Sequence, residues 1–202
     1  MTAKQVYDQG LERLKTFKVE GLLPSLQYCS RGAIDDVLNT NGCCYYQWSS
    51  CIVDVFKPHQ VVELGGAMGV WCLCVLHYLP EESKFYSITL EEHGLEFSFI
   101  KDKYANFTPI VGDDLDIQNW QGVDLSQTDL WFIDSLHTEE HLRAELKLYS
   151  PYFKKGAVIL LDDIRMGGLD RAWSNLLADE GYDCYDGTDP LHFSGYGICV
   201  KI

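Results

Sequence analysis

Apolar residues along the chain follow two different periods. Up to about residue 57 they recur at helical spacing. Leu11, Leu14 and Phe17 fall on one face, Ile34, Val37 and Leu38 fall on another, and residues 47–56 read as a further helix stopped by Pro58. From residue 60 short apolar runs alternate with helical stretches. Strands are predicted at 60–64, 85–90, 108–111, 129–134, 157–161 and 196–202. Between them, residues 70–79 are apolar nearly all round, as a helix covered on both sides would be. Leu95, Phe99 and Ile100 mark another helix, and a third starts behind Thr138 as N-cap. Glu139 and Glu140 sit in its first turn, and Leu142, Leu146 and Tyr149 form its inward face. This alternation predicts an α/β fold, a parallel sheet with helices on both faces.

In such sheets ligands bind beyond the carboxyl ends of the strands. The predicted strands end in, or turn directly onto, acids: Glu63, Glu91, Asp113 and Asp114, Asp134, and Asp162 and Asp163. Together they predict one negative rim along a single edge, which a merely solvated surface does not require.

The chain of 202 residues is expected to form a single domain, with residues 1–57 as an N-terminal helical cap and 58–202 as the core. A net charge of −14 disfavours a nucleic-acid partner, because so acidic a surface repels phosphate backbones. No apolar run is long enough to span a membrane, and the polar, amphipathic first residues do not read as a signal peptide. A cytoplasmic location is therefore expected. The eight cysteines form no C-x-x-C pair, so most are expected to be reduced and buried like small hydrophobes rather than to build a zinc site.

The first predicted strand runs into E-L-G-G-A-M-G at 63–69. The dinucleotide fingerprint needs G-x-G-x-x-G, and the P-loop needs a lysine after its last glycine; neither is met. What is present is E-x-G-x-x-x-G: Glu63, Gly65 and Gly69, with Gly66 between. This spacing resembles motif I of the class I methyltransferases, which bind S-adenosylmethionine. A sulfonium ligand without phosphate tolerates nearby acids, and the glycines permit close approach of the backbone.

Two later stretches extend the likeness. Residues 129–146 read D-L-W-F-I-D-S-L-H-T-E-E-H-L-R-A-E-L, and residues 152–164 read Y-F-K-K-G-A-V-I-L-L-D-D-I. Together they resemble the small class I methyltransferases related to the metal-dependent catechol-type O-methyltransferases. The resemblance covers about residues 45–165 and implies a Rossmann-like, doubly wound, mostly parallel seven-stranded sheet with extra N-terminal helices.

It also implies S-adenosylmethionine as cofactor, held by Glu63, Gly65, Gly66, Gly69, Asp134, an acid on the ribose (Glu91, or Thr89 by a gapless count) and Asp113 or Asp114 near the adenine. Asp134, Asp162 and Asp163 would hold Mg²⁺ or another divalent cation. His137 would be the general base, where the catechol-type enzymes use a lysine, with Asp134 beside it. Asp163 stands where that pattern has asparagine.

Blander roles stay open for these residues: Asp134 as a cap, Asp162 and Asp163 as a solvated strand end, and His137 as a structural residue. His137 and His141 as a metal pair on one helix face lack an evident third ligand. Tyr45, Tyr46, Trp48 and Trp71 read as core or pocket wall. The implied reaction is O-methylation of a small molecule or sugar hydroxyl. A binding module without methyl transfer and an NAD-type oxidoreductase are the competing readings. The acceptor would be set by the N-terminal helices and by the stretch from Gly167 to Phe193. Nothing here decides whether the chain forms a homo-oligomer.

Overall fold

The computed structural model describes residues 1–26, 29, 31–38, 44–91 and 95–202. Cys43 and the side chain of Leu95 lie outside the described residues.

The first helix, α1 (Ala3–Leu14), begins with a reciprocal capping box between Thr2 and Gln5. Short α2 (Leu23–Leu26) and α3 (Arg31–Leu38) follow, then α4 (Tyr45–Phe56). Gly10 lets α1 lie directly on α4, since a Cβ there would stand 2.2 Å from the Trp48 indole nitrogen. The core then runs β1 (Gln60–Leu64), α5 (Val70–Leu76), β2 (Lys84–Thr89), α6 (Leu95–Lys103), β3 (Phe107–Val111), β4 (Leu130–Ile133), α7 (Glu139–Tyr149), β5 (Val158–Asp162), α8 (Leu169–Ala178), β6 (Tyr182–Asp186), the short α9 (Thr188–Leu191) and β7 (Tyr196–Lys201).

The seven strands form one sheet in the order β3-β2-β1-β4-β5-β7-β6. Strands β1 to β5 pair in parallel, while β7 runs antiparallel to both β5 and β6. The strand order reverses between β1 and β4, so a crevice opens outside their carboxyl ends.

Period-2 alternation divides the core between the two faces of the sheet. On β4, Leu130 and Phe132 pack with Trp48, Trp71 and Tyr196, while Trp131 and Ile133 pack with Tyr149, Phe153 and Trp173. Helices cover both faces, which is why β1 and β5 are buried along their whole length. Thr138 caps α7 by accepting from the His141 amide.

Three elements were not anticipated from the sequence: α8, β6 and the short α9. Leu169, Ala172, Trp173 and Leu176 are the buried stripe of α8 at i, i+3, i+4 and i+7, a pattern visible in the sequence. Strand β6, Y-D-C-Y-D, is a half-buried edge that carries two acids, so its apolar signal is weak. The expectation that most cysteines are reduced and buried meets one exception here. The register sets Cys184 of β6 opposite Cys199 of β7, and the two form a disulfide. Cys44, Cys51, Cys72 and Cys74 are buried free thiols. Among the described residues, no helix is long and apolar enough to cross a membrane.

Candidate active site

The glycine turn is built by close backbone packing. The Gly65 and Gly66 amides both donate to the Ile88 carbonyl at 3.0 Å, tying the turn to β2. Gly65 has φ 91°, and a Cβ there would lie 2.0 Å from the Asp134 carbonyl oxygen. Only glycine allows β1 and β4 to come this close where they end. Gly69 caps the start of α5, its amide donating to the Gly66 carbonyl at 2.7 Å.

Above this turn a cleft of about 430 Å³ opens, walled by Gly65, Thr89, Leu90, Asp113, Asp114, Asp134 and His141. Its size suits a small-molecule site. A hollow of about 210 Å³ near Pro58, Asp129 and Gly156, at the other end of the sheet, gathers none of the strand-end acids.

Glu63 and Glu91 stand apart from the cleft wall. Glu63 is buried under the turn, where its Oε2 accepts from the Ser87 hydroxyl at 2.5 Å and the Cys72 thiol at 2.6 Å. Burial pushes its carboxyl up to about 7 against the pull of those two donors. Its place makes it a brace for the glycine turn. Glu91 is exposed, and it is Thr89 and Leu90 of the same strand end that face the cleft.

Asp114 is fixed from two sides. Its carbonyl accepts from the Tyr149 hydroxyl, and its carboxylate lies 3.1 Å from His141 Nε2. Behind His141, the buried Glu145 accepts from Ser135 at 2.7 Å, and burial holds its proton well above the usual carboxylate range. Glu145 is an acid on the apolar face of α7, a sequence signal that was there to be read.

Beside the cleft lies a second group. The His137 ring bridges two strand ends, with Nε2 3.0 Å from Asp134 Oδ1 and Nδ1 3.3 Å from Asp163 Oδ2. Its hydrogen bond to Asp134 raises its affinity for a proton, and the charges of Asp134 and Asp163 add to this despite partial burial. Asp163 has φ 54°, a left-handed conformation that costs energy outside glycine and recurs at functional sites. Burial would push Asp163 up, but hydrogen bonds from His192 and Ser194 outweigh it and hold the carboxyl below its ordinary value. Asp162 is buried, and burial, reinforced by the charges of Asp134 and Asp163, holds it well above the usual range. Its Oδ1 has no hydrogen-bond partner.

His192 and Ser194 were not anticipated from the sequence. They come from the turn between α9 and β7, and no local motif marks them. His137 and His141 do not form a pair: His137 precedes the cap of α7, and each histidine joins a different cluster.

The donor chemistry fits a divalent cation. Asp134, His137 and Asp163 bring ligand atoms within 4.8 Å of one another, and so do Asp162, Asp163 and His192. Each set contains a histidine that the expected three-carboxylate site lacked. No metal-capable cluster among the described residues contains a cysteine. Tyr45 packs edge-on against His192 with ring centres 4.7 Å apart, and Tyr46 stacks on Tyr45. Trp48 and Trp71 are core residues, both buried.

Three solved structures share this fold. The chain aligns with an O-methyltransferase from Bacillus cereus solved with SAH (17% identity, TM-score 0.66, 92% of each chain). It aligns with a methyltransferase from Geobacter sulfurreducens (13%, 0.66, 89% of this chain and 90% of that one). It also aligns with the O-methyltransferase TomG of Streptomyces achromogenes, involved in tomaymycin synthesis and solved with SAM (16%, 0.63, 90% and 89%). No curated protein sequence matches the chain. The family model described as a methyltransferase domain matches residues 62–164, just over half of the chain and the whole span from the glycine turn to the paired aspartates. The chain belongs to the methyltransferase-domain family.

Proposed function

We propose that the chain is an S-adenosylmethionine-dependent O-methyltransferase acting on a hydroxyl of a small molecule or sugar. The observation that carries this reading is the adjacency of two sites at one sheet edge. The glycine-floored cleft lies directly beside the Asp134, His137, Asp162 and Asp163 cluster, with Asp134 common to both. The neighbours solved with SAH and SAM support the same cofactor.

The whole chain works as one methyltransferase domain, with residues 1–57 capping the core and bringing Tyr45 and Tyr46 to the site. The buried free thiols Cys44, Cys51, Cys72 and Cys74 support a reducing, cytoplasmic setting, with the Cys184–Cys199 pair the exception.

S-adenosylmethionine supplies a methyl group on a sulfonium. Gly65 and Gly66 let the backbone approach it, Thr89 offers a hydroxyl at the second strand end, and Asp113 with His141-anchored Asp114 lines the adenine side. The acidic rim balances the ligand's positive charge. An O–C bond forms as the C–S bond breaks, so alignment of the acceptor oxygen carries much of the rate. His137 takes the acceptor's proton on the nitrogen it holds more loosely against Asp163, while Asp134 orients the ring from the other side. Asp134, Asp162 and Asp163 would hold a divalent cation, which lowers the pKa of a bound hydroxyl and orients it.

Isothermal titration calorimetry with SAM and SAH tests the cofactor, and binding of neither overturns the reading. Mass-spectrometric detection of a 14-dalton gain on a panel of diols, about one CH₂, tests the transfer. Loss of turnover in EDTA and in Asp162→Ala supports the cation; turnover that survives both leaves positioning and His137 alone.

A further inference from the structure

The most informative residue outside the expected motifs is His192, which forms a buried triad with Asp162 and Asp163. His192 lies beyond the residues matched by the family model, on the turn entering β7, and is 8% exposed. Its Nδ1 stands 3.3 Å from Asp162 Oδ1 and 3.4 Å from Asp163 Oδ1. All three side chains are buried.

Hydrogen bonds alone leave this triad incomplete. Ser194 donates to Asp163 Oδ1 and also lies 2.6 Å from His192 Nδ1. A serine hydroxyl has one proton and a neutral imidazole has one. With the serine proton on Asp163, the His192 proton is shared between the serine oxygen and Asp163, and Asp162 Oδ1 is left unserved, as observed. A cation meeting both carboxylates and Nδ1 serves all three at once. Ligands at about 2.1 Å from one ion stand about 3.0 Å apart at octahedral angles and about 3.4 Å apart at tetrahedral ones, which brackets the distances from His192 Nδ1 to the two carboxylates.

We infer that His192 is a nitrogen ligand of the cation site and shifts its preference from Mg²⁺ toward a borderline transition metal such as Mn²⁺, Co²⁺ or Zn²⁺. All-oxygen sets suit Mg²⁺, whereas imidazole favours the later divalent ions. The inference rests on the proposal that this cluster holds a metal, and it adds a ligand and a metal class.

The test uses the full chain stripped with chelator and titrated with Co²⁺ and with Mg²⁺ by calorimetry. Co²⁺ is expected to bind at least about 100-fold tighter than Mg²⁺. In His192→Asn, whose amide oxygen takes the place of Nδ1, Co²⁺ affinity should fall at least about tenfold while Mg²⁺ affinity stays within about threefold. Proton NMR of the Co²⁺-loaded wild type should show a hyperfine-shifted, exchangeable imidazole resonance that is lost in His192→Asn. Equal affinity for the two ions, an equal loss of both in the variant, or absence of that resonance overturns the inference. Failure to bind any divalent ion overturns it too. SAH calorimetry on the same samples reports separately on the methyltransferase reading and on the folding of the variant.

Discussion

Replacing Glu63 by glutamine should make the protein more stable at neutral and alkaline pH. Glu63 is 1% exposed, and burial raises its carboxyl from 4.5 to about 7. A group raised in the folded state contributes stability below its unfolded value and loses that contribution as pH climbs through the folded value. Here the window runs from about 4.5 to about 7, at about 1.4 kcal/mol per pH unit. The full loss is on the order of 3 kcal/mol, most of which falls between pH 5 and pH 8. Glutamine keeps an acceptor for the Ser87 and Cys72 protons and carries no charge to bury. The assay is urea unfolding of both proteins from pH 5 to pH 8, with matching slopes required before midpoints are compared. Titrations that do not sense Glu63 cancel in the comparison, so the difference reports Glu63 and the groups coupled to it, Asp134 and Cys72. The variant should gain on the wild type by roughly 2–3 kcal/mol across that range. A difference that stays flat to within about 0.5 kcal/mol would show that Glu63 keeps an ordinary carboxylate value and that its two donors outweigh its burial.

The remaining predictions concern the cleft and its chemistry. Gly65→Ala should abolish SAH binding in calorimetry and lower the melting temperature, because a left-handed alanine costs about 1–2 kcal/mol even before its Cβ meets the Asp134 carbonyl. Thr89→Val should weaken SAH about tenfold, the worth of one lost hydrogen bond, while Glu91→Gln stays within about twofold. The reverse order would move the ribose contact to Glu91. His137→Ala should lower kcat by about 10² to 10⁴ with KM little changed, as steady-state kinetics would show. A loss confined to KM would make it a binding residue.

What the sequence disclosed follows from how local each signal is. Strands β1 to β5 and β7 are short apolar runs closed by turns, and such runs can be read one at a time. The seventh strand could not be read this way, because Y-D-C-Y-D owes its place to the neighbouring β7 rather than to its own hydrophobicity. Helix α8 was legible in its i, i+3, i+4, i+7 stripe, but it lies in a stretch with no family motif. The strand-end acids were legible too, since a doubly wound sheet places every parallel strand's carboxyl end on one edge. That rule could not tell which acids turn inward. Glu63 sits on the strand itself, so its side chain follows the sheet's alternation and ends among core residues rather than in the cleft.

The same reasoning explains why His192 was invisible while Asp162 and Asp163 were not. The aspartates end a parallel strand, where topology alone predicts a site. His192 reaches them only because β7 runs antiparallel to β5, which sets Tyr196 opposite Asp162 and brings the turn before β7 back over the strand end. A parallel seventh strand would carry that turn to the far edge of the sheet. The antiparallel strand thus does more than complete the sheet: it delivers a nitrogen donor to the paired aspartates at the end of β5. The choice of metal, on this argument, is a consequence of sheet topology. It is tested by the ligand on the returning turn rather than by the aspartates on which it closes.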